Sequence, residues 1–308
     1  MTSAPWNRRR VRHVLPGMPT FARPAVLLLT AALLLTSACA NTDDAAQPAA
    51  PGASVPPGAL VLRVDYTGGF VAPATVATRL PMISVYADGR VITEGPVTLQ
   101  YPGNALPNVL LRQIEPAAVE QLVERARSAG VRNGADLGRP GITDVPTTRF
   151  TLLTEEGLQT TEAYALSEAA GADTGLTEGQ VRDRLLLTEL ITALQDLPAT
   201  LGADRAGDEV AYRPAEIAAV AGPWQPDETV RDAPEIAWPG PELPGTSLGD
   251  GLDLGCVTAT GQAAADVLTA AATATAITPW TSAGKKWTVH LRPLLPDEHT
   301  CADLTARS

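Results

Sequence analysis

The sequence predicts an α+β fold: antiparallel β-hairpins with packed helices, plus a smaller C-terminal β-α-β lobe carrying one disulfide. Three observations point there. Short runs of alternating apolar and polar residues are broken by Asp-Gly or Glu-Gly turns. Two segments of helical period lie between and after these runs, with recognisable starts and stops. The last hundred residues end in a strand, helix, strand pattern bracketed by Cys256 and Cys301.

In chain order, the first strand is Leu60 to Tyr66, where Leu60, Leu62, Val64 and Tyr66 fall on one face and Arg63 and Asp65 on the other. That alternation predicts a half-buried strand. Met82 to Thr93 predicts a hairpin, because Asp88-Gly89 supplies the positive dihedrals of a tight turn. Pro116 fits a first helical position, Val119, Leu122, Val123 and Ala126 follow at helical spacing, and Gly130 ends the helix. Phe150 to Leu166 forms a second hairpin, turning at Glu156-Gly157. Thr177, with Gln180 three residues on, predicts a capping box opening a helix through Leu187, Leu190, Ile191 and Leu194 to Pro198. A region rich in Pro, Gly and Trp then runs to Gly255. It precedes a strand from Cys256 to Thr260, a helix from Gln262 to about Thr275, and a strand from Lys286 to Leu294. No internal repeat and no membrane-spanning stretch is seen.

The 308 residues suffice for one or two ordinary domains, and 27 Pro with 26 Gly stay below the level of a disordered chain. Of 23 Lys and Arg, five (Arg8, Arg9, Arg10, Arg12, Arg23) lie in the first 38 residues, which hold no Asp or Glu. The remainder carries 18 cations against 34 anions, a balance of −16. Such a body repels phosphate backbones and acidic headgroups, so nucleic acid is not an expected partner.

The N-terminal segment carries the most specific signal. A basic stretch precedes an apolar run of eleven residues, Ala25 to Leu35, and then Thr36-Ser37-Ala38-Cys39. Eleven residues are too few to span a bilayer, which takes about 20. The layout is that of a secretory signal peptide over residues 1–38. Its end, LLTSAC, resembles a bacterial lipobox, with Thr36 where Leu is commonest. That resemblance implies diacylglycerol on the Cys39 thiol and cleavage before Cys39; an ordinary signal peptide with a chance cysteine, or an uncleaved anchor, is the plainer reading. Arg8-Arg9-Arg10 lacks the flanking residues of a twin-arginine signal. Met18 would give a compact signal, and we expect it, not Met1, to be the initiator. Residues 39–58 then form the anchor and a tether of Ala, Pro, Gly and small polar groups with nothing to drive ordering. We divide the rest into an α+β domain, 59–200, and a Trp- and Pro-rich lobe, 201–308.

Cys256 and Cys301 are an even pair in a chain expected to be exported, so we expect a disulfide between them rather than two buried thiols. Their spacing with His290 and His299 fits no metal motif, and no cofactor fingerprint occurs. Gly245-Thr246-Ser247-Leu248-Gly249 matches the nucleophile-elbow pattern, with Asp250 and His290 following in order. Yet WPGPELP precedes it and GDGLDLG follows, where an elbow needs a strand and a helix. Ser282-Ala283-Gly284-Lys285 matches S-x-x-K but reads as a solvated turn, and Asp250 and Asp253 lack calcium-loop spacing. His290 shares the polar face of its strand with Thr288 and Arg292, the position of a surface histidine. No catalytic residue is therefore assigned. Trp224, Trp238, Trp280 and Trp287 cluster late in the chain. They either anchor core and loops or form a shared face that stacks on glycan or peptide.

Past the signal, the hairpin VYADGRVI, the helix EPAAVEQLVERARSAGV, the late RPLLPDEHTC and the preference for Arg over Lys resemble secreted lipoproteins of unassigned activity in high-GC Gram-positive bacteria. The resemblance implies a protein held by lipidated Cys39 on the outer face of the plasma membrane, with an envelope protein or cell-wall glycan as candidate partner. It implies no active residues. A non-enzymatic binding or accessory role is the first expectation, a cell-wall or peptide hydrolase the alternative, and a solute receptor a third without the two large lobes it requires.

Overall fold

The computed structural model describes residues 55–170, 175–226 and 233–305. Cys39, the signal segment and most of the tether lie outside them. The described residues belong to one compact unit built on two sheets, antiparallel except where a two-residue edge strand of the second joins in parallel.

The first sheet begins with β1 (Leu60–Gly68), and α1 (Pro73–Thr78) follows. The expected hairpin forms as β2 (Ile83–Tyr86) and β3 (Arg90–Glu94). A Cβ at Gly89, where φ is +84°, would stand 2.2 Å from the Ile114 carbonyl, so this turn needs glycine for both dihedral and space. Next come β4 (Val109–Ile114), the Pro-started α2 (Pro116–Ser128) and the second hairpin, β5 (Pro146–Thr154) and β6 (Gly157–Tyr164). In α3 (Glu178–Gln195) the Thr177 hydroxyl accepts from the Gln180 amide at 3.3 Å while the Gln180 side chain accepts from the Thr177 amide at 3.0 Å. The capping box is thus complete. After α4 (Leu197–Leu201), β7 (Ala206–Ala211) closes the sheet in the order β6-β5-β1-β2-β3-β4-β7. Leu62, Val64, Ile83, Val85, Phe150 and Leu152 pack on one face against Leu122 of α2 and Leu187, Leu190 and Leu194 of α3.

The second sheet is built on β8 (Glu216–Pro223) and completed by β9 (Ile236–Ala237), β10 (Thr246–Ser247), β11 (Gly255–Thr260), β12 (Trp280–Ser282) and β13 (Lys285–Pro293). Its order is β10-β11-β8-β13-β12-β9. The helix α5 (Gly261–Ala271) covers one face, with Ala264 and Val267 against Ile217, Ala219, Val289 and Leu291. The expected strand, helix, strand pattern is therefore β11, α5, β13, and the fold is α+β. On the other face lie α1 and α6 (Cys301–Thr305), with Ala74 and Leu304 against Ala218 and Val220. There the Cys256–Cys301 disulfide joins β11 to α6. The regions interlace, since β7 of the first sheet follows residue 200 whereas α1 packs on the second sheet.

One expectation is corrected. Arg63 and Asp65 do not face water: both are buried, Arg63 beneath the segment after β13 and Asp65 near Val76 and Ala77 of α1, Arg292 and Leu304. The Arg63 guanidinium donates to Asp297 at 2.8 and 3.0 Å and to the Ser84 hydroxyl at 2.9 Å. The Tyr86 hydroxyl donates to the same carboxylate at 2.7 Å. Burial lowers the Arg63 pKa, but Asp297, Tyr86 and Glu298 together more than offset it, so the net shift is upward. Leu295 joins Leu80, Tyr86, Ile92 and Val109 beside this network, and the Tyr212 hydroxyl donates to the Leu294 carbonyl at 2.8 Å.

Candidate functional site

A cleft of about 370 Å³ opens between the sheets, within the size range of small-ligand sites. Thr75, Thr78, Arg79 and Leu80 form one wall, Asn104, Ala105 and Pro107 a second, and Ala276 with Val289, His290 and Leu291 a third. Glu94, the last residue of β3, also lines it. Strand polarity explains the convergence: β1 and β3 both finish at the same end of the first sheet, because β2 runs antiparallel between them. The chain leaving β1 makes α1, and the chain leaving β3 makes the loop with Asn104. An isolated bridge from Asn104 to Thr275 and hydrogen bonds from the Ala105 amide to Ala274 and from the Ala276 amide to Gly103 hold that loop to the segment that follows α5.

Three side chains in the cleft can carry charge. The Arg79 guanidinium donates to the carbonyls of Tyr66 at 3.2 Å and Gly68 at 3.0 Å, which fixes it to the end of β1. Burial raises the Glu94 pKa, and Arg292 pulls the other way with a smaller effect. Burial also lowers the His290 pKa below 6.5. Its ring is exposed at the cleft surface while protein mass around it displaces part of its hydration. Burial thus favours the uncharged form of both His290 and Glu94, while the guanidinium is engaged with carbonyls. A proton-detected titration of His290 should show a midpoint below 6.5. Because the folded value is lowered, the stability tied to its neutral form is present above the unfolded value and is lost as pH falls through the window beneath it. A midpoint at or above 6.5 would mean that the ring is fully hydrated.

The tryptophans do not form a shared exposed face. Trp280, Trp287 and Trp238 are 0%, 9% and 8% exposed, buried in the core under α5, and only Trp224 is partly exposed. Trp238 and Trp280 meet edge to face at 5.4 Å, and the Trp238 indole donates to Pro241 at 2.7 Å. Aromatic area under the second sheet is what these residues supply. Ser247 lies on the two-residue edge strand β10, and its hydroxyl closes a local turn with Gly249. No helix follows it. Gly245, with φ of +81°, is required because a Cβ there would meet the Cys256 carbonyl at 2.4 Å, which gives the motif a packing explanation. Ser282 and Lys285 flank the Ala283-Gly284 turn between β12 and β13, and the Ser282 hydroxyl accepts from the Leu243 amide at 3.2 Å. Asp250 and Asp253 remain in the loop between β10 and β11, and no group of three or more metal-ligating side chains occurs among the described residues.

Sequence reading correctly placed His290 on the polar face of its strand but gave Arg292 the same surface character. Arg292 is buried and ion-paired with Glu298 at 2.9 Å. Glu94, Asn104 and the α1 wall were missed. The only local signal was a carboxylate ending an alternating strand. No family model, no curated protein and no solved structure matches the chain. No helix among the described residues is long and apolar enough to cross a membrane.

Proposed function

We propose that this chain is a lipid-anchored extracytoplasmic protein of the cell envelope, held by acylated Cys39 and acting as a non-enzymatic binding or accessory protein. The observation that carries the proposal is LLTSAC placed directly after an eleven-residue apolar run and a basic lead. Two further features support it. The Cys256–Cys301 disulfide suits an oxidising compartment. The cleft provides a concave surface with several convergent polar groups. Two or more acyl chains would make the anchor lasting, since each buried methylene contributes about 0.8 kcal/mol. The alternative, a hydrolase of wall polymer or peptide, draws on one observation: Glu94 and His290 share the cleft with pKa values displaced toward each other.

The test is the intact mass of the protein purified from membranes of a high-GC Gram-positive host. The wild type should begin at Cys39 and carry acyl mass, and Cys39→Ala should lose both and leave the membrane fraction. In-cell crosslinking of the two forms should recover a defined envelope partner with the anchored form only. An unacylated wild type that begins elsewhere would overturn the anchor. Release of products from wall polymer, abolished by Glu94→Gln, would transfer the assignment to the hydrolase.

A further inference from the structure

The cleft contains an unpaired sheet edge. In β13 the Lys286 carbonyl accepts from Trp224, and the Leu294 amide donates to Glu216. With the antiparallel register His290↔Val220, these bonds direct the backbone groups of the even-numbered residues toward β8. Val289 and Leu291 therefore turn their N–H and C=O groups to the opposite edge. β12 does not reach them, because it pairs only Lys285 to Trp287. No backbone or side-chain partner for the amides of Val289 and Leu291 occurs on that edge among the described residues. The two residues are 4% and 5% exposed, and the cleft is the space in front of them. Buried backbone groups without partners are uncommon, and a strand edge is a template for pairing.

Resting on the binding reading above, we infer that the cleft takes an extended peptide segment bearing a basic side chain, which adds as a short strand to the edge of β13 at Val289 and Leu291. Backbone pairing would supply affinity, as in other strand additions, and the cleft walls would supply choice. The walls favour a cation. Glu94 is the one carboxylate among the described residues that line the cleft, with the positive Arg292 acting on it, while the Arg79 guanidinium keeps its charge but is turned onto the Tyr66 and Gly68 carbonyls, so a basic side chain is accommodated on the Glu94 side. The balance of −16 outside the first 38 residues acts in the same sense at long range. The loop from Gly95 to Pro107, which lines the cleft through Asn104, Ala105 and Pro107, also carries Val97, Leu99 and Tyr101 exposed.

The test uses full-length processed protein in detergent and two hexapeptide libraries, one with a fixed central Lys and one with Glu at that place. In the unliganded protein, the amides of Val289 and Leu291 should exchange with solvent faster than that of His290, which is bonded to β8. The Lys library should bind about tenfold more tightly than the Glu library and slow exchange at Val289 and Leu291. Glu94→Gln should remove that preference while leaving the unliganded exchange pattern unchanged. Alternate N-methylation of a selected peptide should abolish binding. Protection of Val289 and Leu291 without peptide, equal binding of N-methylated peptides, or no binding of the Lys library up to about 1 mM would each overturn the inference. These readouts do not depend on acylation: failure here with partner capture intact removes the peptide ligand alone, whereas loss of acylation with peptide binding intact removes the anchor alone.

Discussion

Glu298→Ala is expected to lower the free energy of unfolding by about 3–5 kcal/mol. Arg292 and Glu298 are both almost wholly buried, with a 2.9 Å contact between Nη2 and Oε1. The other carboxylate oxygen accepts from the Leu295 amide at 2.7 Å, so Glu298 also holds the turn that brings Asp297 over the first sheet. Arg292 in turn donates to the Arg79 carbonyl at 3.4 Å, at the root of the cleft. Removing the carboxylate takes away the closest counter-charge of a buried guanidinium, so the desolvation cost that the guanidinium already bears is less well offset. Glu298→Gln keeps an acceptor for the Leu295 amide and should fall between wild type and Glu298→Ala. Replacing both partners, Arg292→Met with Glu298→Leu, should lose less than Glu298→Ala alone, because neither member of the pair is left charged without the other. Urea denaturation of the three variants provides the comparison. A loss below about 1 kcal/mol for Glu298→Ala would show that water reaches the pair in solution.

Reducing the disulfide should cost on the order of 4 kcal/mol. Cys256 and Cys301 are 45 residues apart in sequence, and closing a loop of that length restricts the unfolded chain by about this amount in the chain-entropy model. The folded side of the balance is local. The bridge ties α6, only five residues long, to β11, and Leu304 packs against the sheet near Ala218 and Val220. A helix that short has little stability of its own. Reduction should therefore shift the urea midpoint and also raise hydrogen exchange at Cys301–Thr305 before it does so in β8. Cys256→Ala with Cys301→Ala should reproduce both effects without reductant. A change below about 1 kcal/mol would mean that the reduced chain retains α6 through packing alone.

Elements with a local signal were legible beforehand. The Asp88-Gly89 and Glu156-Gly157 turns, Pro116 at a helix start, the Thr177 and Gln180 capping box and the Cys256–Cys301 pair each depend on residues close in sequence or on pairing within a set of two. The central strand of the second sheet was not. In β8, Ile217 to Gly222 is buried on both faces, so the alternation that marks a half-exposed strand is absent, and its alanines favour helix in isolation. β4 and β7, joined across the first sheet, likewise owe their pairing to distant residues.

The composition and order of residues dictated the α+β class, most turn and cap positions and the disulfide partner, because each is an interaction of short range or few alternatives. Assembly decided the rest. Arg63 reads as a surface residue until Asp297, far along the chain, covers it, and Arg292 until Glu298 folds back beside it. The cleft exists because α1, the Asn104 loop, Ala276 and β13 meet, and because β12 stops short of Val289. Strand pairing is set by long-range packing, so which backbone edge remains open is a property of the assembled sheets and has no pattern along the chain.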